Sequence, residues 1–163
     1  MNSLLLFDFS ASSNWSVWEI ENDVVMGGNS TSKLSRSEEG NAVFTGYVSL
    51  ENNGGFASIQ YHFEPKDIKG YDKAVIRLKG DGKEYQFRIK ANLKERAAYV
   101  HTFKTSGDWQ TIEIPLNQME PTFRGYKLNQ PNFNAEKLQE IRFLIGNGKA
   151  ENFRLEIDKI ELL

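Results

Sequence analysis

Polar and apolar residues alternate with a period of two along most of this chain, and that period decides the fold class before any composition is counted. In the stretch that opens at Gly55, Ala57, Ile59, Tyr61 and Phe63 fall on one side and Ser58, Gln60 and His62 on the other. Successive side chains of a strand point to opposite faces, so such a segment has one face to bury and one to keep wet. The same alternation runs through Ala74–Lys79, where Ile76 and Leu78 oppose Arg77 and Lys79. It recurs in Glu84–Lys90, where Tyr85, Phe87 and Ile89 oppose Gln86, Arg88 and Lys90. Leu4–Phe9, Trp18–Ile20, Ala42–Leu50, Ala97–Lys104, Trp109–Ile114, Ile141–Ile145 and Phe153–Leu162 complete the expected strands. Between them lie Asn53-Gly54-Gly55, Asp81-Gly82, Ser106-Gly107-Asp108 and Gly146-Asn147-Gly148, which read as tight hairpin turns. Asn134–Glu140 is the one segment that reads as a short helix, and Leu116–Asn134 reads as the longest irregular loop. Many short strands separated by turns at roughly ten-residue spacing point to an all-β sandwich or barrel, with residues 1–163 as one domain.

A chain of 163 residues buries roughly 70% of the surface its unfolded form exposes, enough for a core without covalent staples. The absence of cysteine excludes a disulfide framework, a thiolate metal site and a cysteine nucleophile. The formal net charge is −2 and no Lys/Arg-dense stretch stands out, so nucleic acid is not an expected partner. The first residues, Met-Asn-Ser-Leu-Leu-Leu-Phe-Asp, lack the basic start and longer apolar core of a secretory signal. No run approaches the ~20 apolar residues of a membrane span. A cytoplasmic chain without a transmembrane segment is the expectation.

Little in the sequence points to chemistry. The two histidines, His62 and His101, fall mid-strand, and Ser58 shares a strand face with His62 without any sign of an orienting carboxylate. Asp8, Glu19, Asp23, Glu51 and Asp81 carry no motif that implies a raised carboxyl pKa. Gly27-Gly28 and Gly54-Gly55 complete neither GxGxxG nor GxxxxGK[ST]. No catalytic residue, cofactor or metal site is therefore expected. The one metal considered is a structural calcium, for which Asp8 and Asp158 on the terminal strands would offer oxygen ligands.

Four segments are distinctive as a set: Asn22-Asp23-Val24-Val25-Met26-Gly27-Gly28-Asn29-Ser30, Phe44 to Ser58 with its Glu51-Asn52-Asn53-Gly54-Gly55-Phe56-Ala57-Ser58 end, Gly80 to Tyr85, and Pro121-Thr122-Phe123-Arg124-Gly125. Together they resemble the complex I intermediate-associated protein 30 family, from Phe7 to Ile160. That resemblance implies a galactose-binding-domain-like jelly roll, related in shape to carbohydrate-binding modules. It implies a non-catalytic assembly factor whose protein partners are intermediates of respiratory NADH dehydrogenase. The alternative is a carbohydrate-binding module with a saccharide ligand. Trp15, Trp18 and Trp109 discriminate the two, because sugar platforms need a flat exposed aromatic beside polar groups.

The motif residues also have a local reading. Gly27, Gly28, Gly54 and Gly55 permit backbone angles that a Cβ would oppose. Met26 and Phe56 are expected to seat the loops on the core, Asp23 to accept backbone N–H bonds, and Asp81 with Gly82 to make the hairpin before Tyr85. Arg124 sits in the long loop, where its planar fork suits a carboxylate, a phosphate or a sugar diol. Arg88, Gln60, Ser58, Tyr99 and His101 are expected to converge with Arg124 on the outer face of one sheet as the partner-binding surface. A salt bridge from Arg124 to Glu51 or Asp23 is the structural alternative.

Overall fold

The computed structural model describes residues 3–11, 14–22, 29–51 and 55–163. The motif residues Asp23, Met26, Gly27, Gly28 and Gly54 lie outside the described residues. The alternating segments form two antiparallel sheets. One contains β1 (Leu4–Asp8), β3 (Thr31–Arg36), β4 (Ala42–Val48), β6 (Lys73–Lys79), β9 (Trp109–Pro115) and β13 (Glu151–Leu162). Its order is β3-β4-β13-β6-β9, with β1 also pairing β13. The other contains β2 (Trp18–Ile20), β5 (Ala57–Asp67), β7 (Glu84–Lys90), β8 (Ala98–Lys104), β10 (Glu120–Phe123), β11 (Tyr126–Lys127) and β12 (Lys137–Ile145). Its order is β11-β10-β8-β7-β12-β5-β2. Two stacked sheets decide for the sandwich over the barrel, in keeping with the jelly roll that the resemblance implies.

The inner faces make one core. Phe9, Phe44, Ile76, Leu78, Leu155, Ile157 and Ile160 enter it from the six-stranded side, and Ile59, Tyr85, Phe87, Ile89 and Phe143 from the seven-stranded side, all essentially inaccessible to water. Each such side chain contributes about 1.5–3 kcal/mol by leaving water. Phe143 of β12 is central to the packing, with its ring 5.3 Å from Phe87 and 6.4 Å from Trp18.

Three sequence expectations change. Asn134–Glu140 is not a helix; from Lys137 it is the start of β12, which shifts register between Leu138 and Glu140. Ala135, Leu138 and Ile141 are spaced as on a helix, but the pairing is irregular there, with residues 63–65 of β5 facing Gln139 alone, and Leu138 and Ile141 are both buried on a strand. The Leu116–Asn134 loop holds a 3-10 turn (Leu116–Gln118) and the β10–β11 hairpin. At the hairpin tip Arg124 (φ 50°) and Gly125 (φ 83°) both take the left-handed angles of a type I′ turn. Finally, Asp81-Gly82, Ser106-Gly107-Asp108 and Gly146-Asn147-Gly148 are not hairpins. They join β6 to β7, β8 to β9 and β12 to β13, strands that belong to different sheets. The gap to be crossed is then the ~10 Å between stacked sheets rather than the ~5 Å between paired strands.

Asp81 ties one of these arches down. Its carboxylate accepts from the buried Tyr85 hydroxyl at 2.9 Å and from the Arg154 backbone N–H at 2.8 Å, linking both sheets. Burial first, and then the Asp81 charge, hold the Tyr85 phenol far above its ordinary pKa, so it stays a donor. The Asn53-Gly54-Gly55 segment likewise joins strands of different sheets, β4 and β5, and is no hairpin; Asn53 and Gly54 lie outside the described residues, and Gly55 takes φ +146°.

Gly46 on β4 is needed for a different reason. A Cβ there would lie 2.0 Å from the Thr31 carbonyl oxygen of β3, where no side chain fits. Gly46→Ala should therefore cost about 1–3 kcal/mol, as overpacking does, and lower the melting temperature. An unchanged melting temperature would mean that β3 moves away from β4 freely.

A polar face on the seven-stranded sheet

The outward residues of the seven-stranded sheet are fixed by register. Glu19 of β2 stands opposite Gln60 of β5, Gln60 opposite Arg142 of β12, Arg142 opposite Arg88 of β7, Arg88 opposite Val100 of β8, and Val100 opposite Glu120 of β10. One row of mostly polar side chains thus crosses the sheet. Glu140, opposite both His62 and Lys90, lies in the next row on one side. Leu144, opposite Ser58 and Gln86, lies in the next row on the other.

Arg142 is the hub. Its guanidinium donates to Ser58 Oγ at 3.3 Å, to Glu21 Oε2 at 3.3 Å and to Gln60 Oε1, and it lies 3.7 Å from Glu140 Oε1. Glu140, almost fully buried, also bonds His62 Nε2 at 2.6 Å. A buried carboxylate survives only where its charge is matched, and two partners match it here. Ser58 Oγ in turn donates to the Glu21 carbonyl oxygen.

Arg88 has a different environment. It donates to Gln86 Oε1 at 2.8 Å and to Thr122 Oγ1 at 3.2 Å, both neutral, and among the described residues no carboxylate pairs with it. Burial, with the neighbouring Arg142 charge second, lowers its pKa to about 10. It remains a cation at neutral pH.

Of the six expected binding residues, the structure brings Ser58, Gln60 and Arg88 to this face. It does not bring Tyr99 and His101 there. In β8, Tyr99 stands opposite Ile89 and His101 opposite Phe87, so both belong to the core-facing set. Tyr99 packs its ring on Phe133, and its hydroxyl donates to Glu95 and accepts from Gln130. His101 Nδ1 lies 2.7 Å from the Thr102 carbonyl oxygen. The segment Tyr99-Val100-His101-Thr102-Phe103 has apolar residues on both faces, and alternation alone cannot say which is inner. Arg124 is exposed at the β10–β11 tip, its guanidinium 5.2 Å from the Phe123 ring centre. Among the described residues no carboxylate pairs with it, so the clasp to Glu51 is absent, and Asp23 lies outside them.

Sequence reasoning missed Arg142, Glu140, Glu21, Gln86 and Thr122. Arg142 was within reach, because Ile141, Phe143 and Ile145 point inward and force it outward. Glu140 was hidden by the helical reading and Thr122 by the loop reading.

The geometry gives reaction chemistry little to work with. Ser58 and His62 are four residues apart on one strand, about 13 Å at strand rise, and the His62 ring bonds Glu140 instead. Asp8 accepts bonds from Ser10 and Ala11 in its own turn, and Asp158 pairs with Arg77 at 3.5 Å. Among the described residues no three His, Asp or Glu side chains cluster as a metal site would require, and no helix is long and apolar enough to cross a membrane.

An antiparallel sandwich with one cross-bonded polar sheet face defines a jelly-roll module of the galactose-binding-like class. Comparison with solved structures agrees. The family 11 carbohydrate-binding module of a Clostridium thermocellum cellulosomal cellulase superposes with a TM-score of 0.74 at 19% identity, covering 99% of this chain and 94% of that one. An agarase superposes with a TM-score of 0.69 at 14% identity, covering 99% of this chain and 24% of the agarase. The sequence profile of the family described as Complex I intermediate-associated protein 30 matches residues 7–157, and the chain belongs to that family. A Caenorhabditis elegans relative named "Probable complex I intermediate-associated protein 30, mitochondrial" is 26% identical over 155 residues, 82% of this chain and 46% of the relative. Its Caenorhabditis briggsae counterpart is 25% identical, covering 94% of this chain and 52% of the relative. The chain spans about half the length of the curated relatives it matches.

Those names correct one expectation. The cytoplasmic location does not stand, because both relatives are named as mitochondrial proteins. It rested on the lack of a secretory signal, a test that does not address import into an organelle.

The Arg142 hub is testable by a double-mutant cycle. Arg142→Met should cost about 2–3 kcal/mol by leaving buried Glu140 short of a partner. Its coupling with Glu140→Gln should be about 1 kcal/mol or more in denaturant unfolding. Strict additivity would show that the two groups do not sense each other.

Proposed function

We propose that this chain is a non-catalytic binding protein that holds an assembly intermediate of respiratory complex I against the outer face of its seven-stranded sheet. Family membership and the names of the nematode relatives support the partner class. The observation that carries the reading is the cross-bonded row itself. Gln60 and Arg142 bond each other across β5 and β12, and Arg88 is held by Gln86 of its own strand and Thr122 of β10, before any partner arrives, which lowers the ordering cost of docking. No nucleophile is bonded to the His62–Glu140 pair among the described residues, which is why binding rather than turnover is proposed.

The saccharide alternative lacks its platform. Trp18 is buried in the core. Trp15 is half-buried, donates its indole N–H to the Phe9 carbonyl at 3.1 Å, and has the Arg36 guanidinium 4.0 Å from its ring centre. Trp109 is half-buried on the other sheet with Arg77 4.8 Å from its ring centre. None of the three stands on the polar face. The positions of the tryptophans thus favour the protein partner over a saccharide.

Affinity capture from native cells with the full chain as bait tests the reading. Wild type should recover NADH dehydrogenase subunits. Thr102→Arg, at an exposed outward position of β8 opposite Gln86, should lose them. Thr111→Arg, equally exposed on the outer face of the six-stranded sheet, should keep them. Equal recovery by both variants would overturn the assignment of the face, and recovery of no respiratory subunit by wild type would overturn the partner. Arg124→Ala should leave the melting temperature close to wild type, since the side chain makes no ion pair among the described residues, and should weaken capture. A large loss of stability would make Arg124 structural.

A further inference from the structure

We propose that the Arg88 guanidinium is a receptor for a single carboxylate on an acidic segment of the protein partner. The proposal rests on the reading of this face as the docking surface and names what that surface recognises.

Three observations carry it. First, Arg88 and Arg142 stand directly opposite each other on β7 and β12. Like charges so placed repel, their Cβ atoms being about 4.5–5.5 Å apart. A fold keeps such a pair only if something offsets it. Second, the offset is one-sided. Arg142 has Glu21 at 3.3 Å and Glu140 at 3.7 Å, whereas Arg88 makes no ion pair among the described residues, bonds only the Gln86 amide and the Thr122 hydroxyl, and senses Glu140 only at longer range. Third, those two neutral acceptors hold the guanidinium by one N–H from each terminal nitrogen, leaving its other donors for a ligand. Thr122 is itself oriented by donating to the Ala98 carbonyl at 3.0 Å, so the fork is fixed from both sides.

The neighbourhood also chooses among anions. Of the two opposed arginines, Arg88 is the one with no ion pair of its own among the described residues. Glu140 lies in the next row and Glu120 further along the same row, and both repel a multiply charged group. A carboxylate brings one negative charge and two oxygens matched to two parallel N–H donors. A phosphate dianion would overcompensate Arg88 and meet those glutamates. An acidic side chain of a docking protein therefore fits better than a phosphorylated one.

The test uses the full isotope-labelled chain, with the arginine side-chain N–H signals read by NMR. The probes are a short glutamate-rich peptide with blocked ends and, separately, inorganic phosphate, against a sodium chloride control of equal ionic strength. The peptide should shift the Arg88 signals saturably. Arg88→Lys, which keeps the charge and loses the fork, should weaken binding about tenfold. Arg88→Met should abolish it while the remaining spectrum shows an intact fold. No saturable shift, an unchanged affinity in Arg88→Met, or tighter binding of phosphate than of peptide would each overturn the proposal. The capture assay separates this from the function reading. Loss of respiratory subunits in Thr102→Arg without any peptide binding by wild type would sink the carboxylate receptor alone. Peptide binding at Arg88 with capture indifferent to Thr102→Arg would sink the docking face and leave the receptor standing.

Discussion

The register of β12 is the constraint on which the rest of the molecule depends. This strand pairs with β5 on one side and β7 on the other, and its pairing decides what both present to the core and to water. With the observed register Ile141, Phe143 and Ile145 are buried and Arg142 faces out between Gln60 and Arg88. A slip of one residue would turn Glu140, Arg142 and Leu144 inward and expose three large apolar side chains. Losing the burial of three such residues costs about 1.5–3 kcal/mol each, before the cost of dehydrating two charges is added. The polar face is therefore specified by the apolar residues behind it. Nothing about the outer groups needs to direct folding.

That separation explains which parts of the structure were legible in the sequence. Where one strand face is wholly apolar and the other wholly polar, as in Glu84–Lys90, both the strand and the direction of Arg88 follow from the residues. Where both faces are mixed, as in β8, the strand is legible and its orientation is not. Tyr99 and His101 are expected on the outer face, while the register to β7 puts them behind Val100 and Thr102. β3 was missed because Thr31–Arg36 contains a single large apolar residue, Leu34, and owes its existence to pairing with β4 at the sheet edge. The β10–β11 hairpin was missed because Pro121 reads as a strand breaker. Near a sheet edge, where one side of a strand is only briefly paired, a residue without an N–H is tolerated.

The glycine turns carry a related lesson. Their left-handed angles were legible, and their role was not. Gly82, Gly107 and Gly148 all take positive φ, as the turn residues imply. Whether such a turn joins neighbours in one sheet or arches to the other depends on where the two strands find partners, and that is settled at long range. The Asp81 carboxylate, accepting bonds from both Tyr85 and the β13 backbone, is the local record of that choice.

The same independence of the two faces accounts for a shared fold with a different surface. In a sandwich every second residue of a strand belongs to the core, and the others are free to change as long as they stay wettable. A module can exchange an aromatic sugar platform for charged and amide groups without moving one buried ring. Here the described tryptophans lie in the core or against arginines, and the outer positions of β5, β7 and β12 include glutamine, arginine and glutamate. Which ligand such a face takes is therefore set by its outer residues and not by the fold.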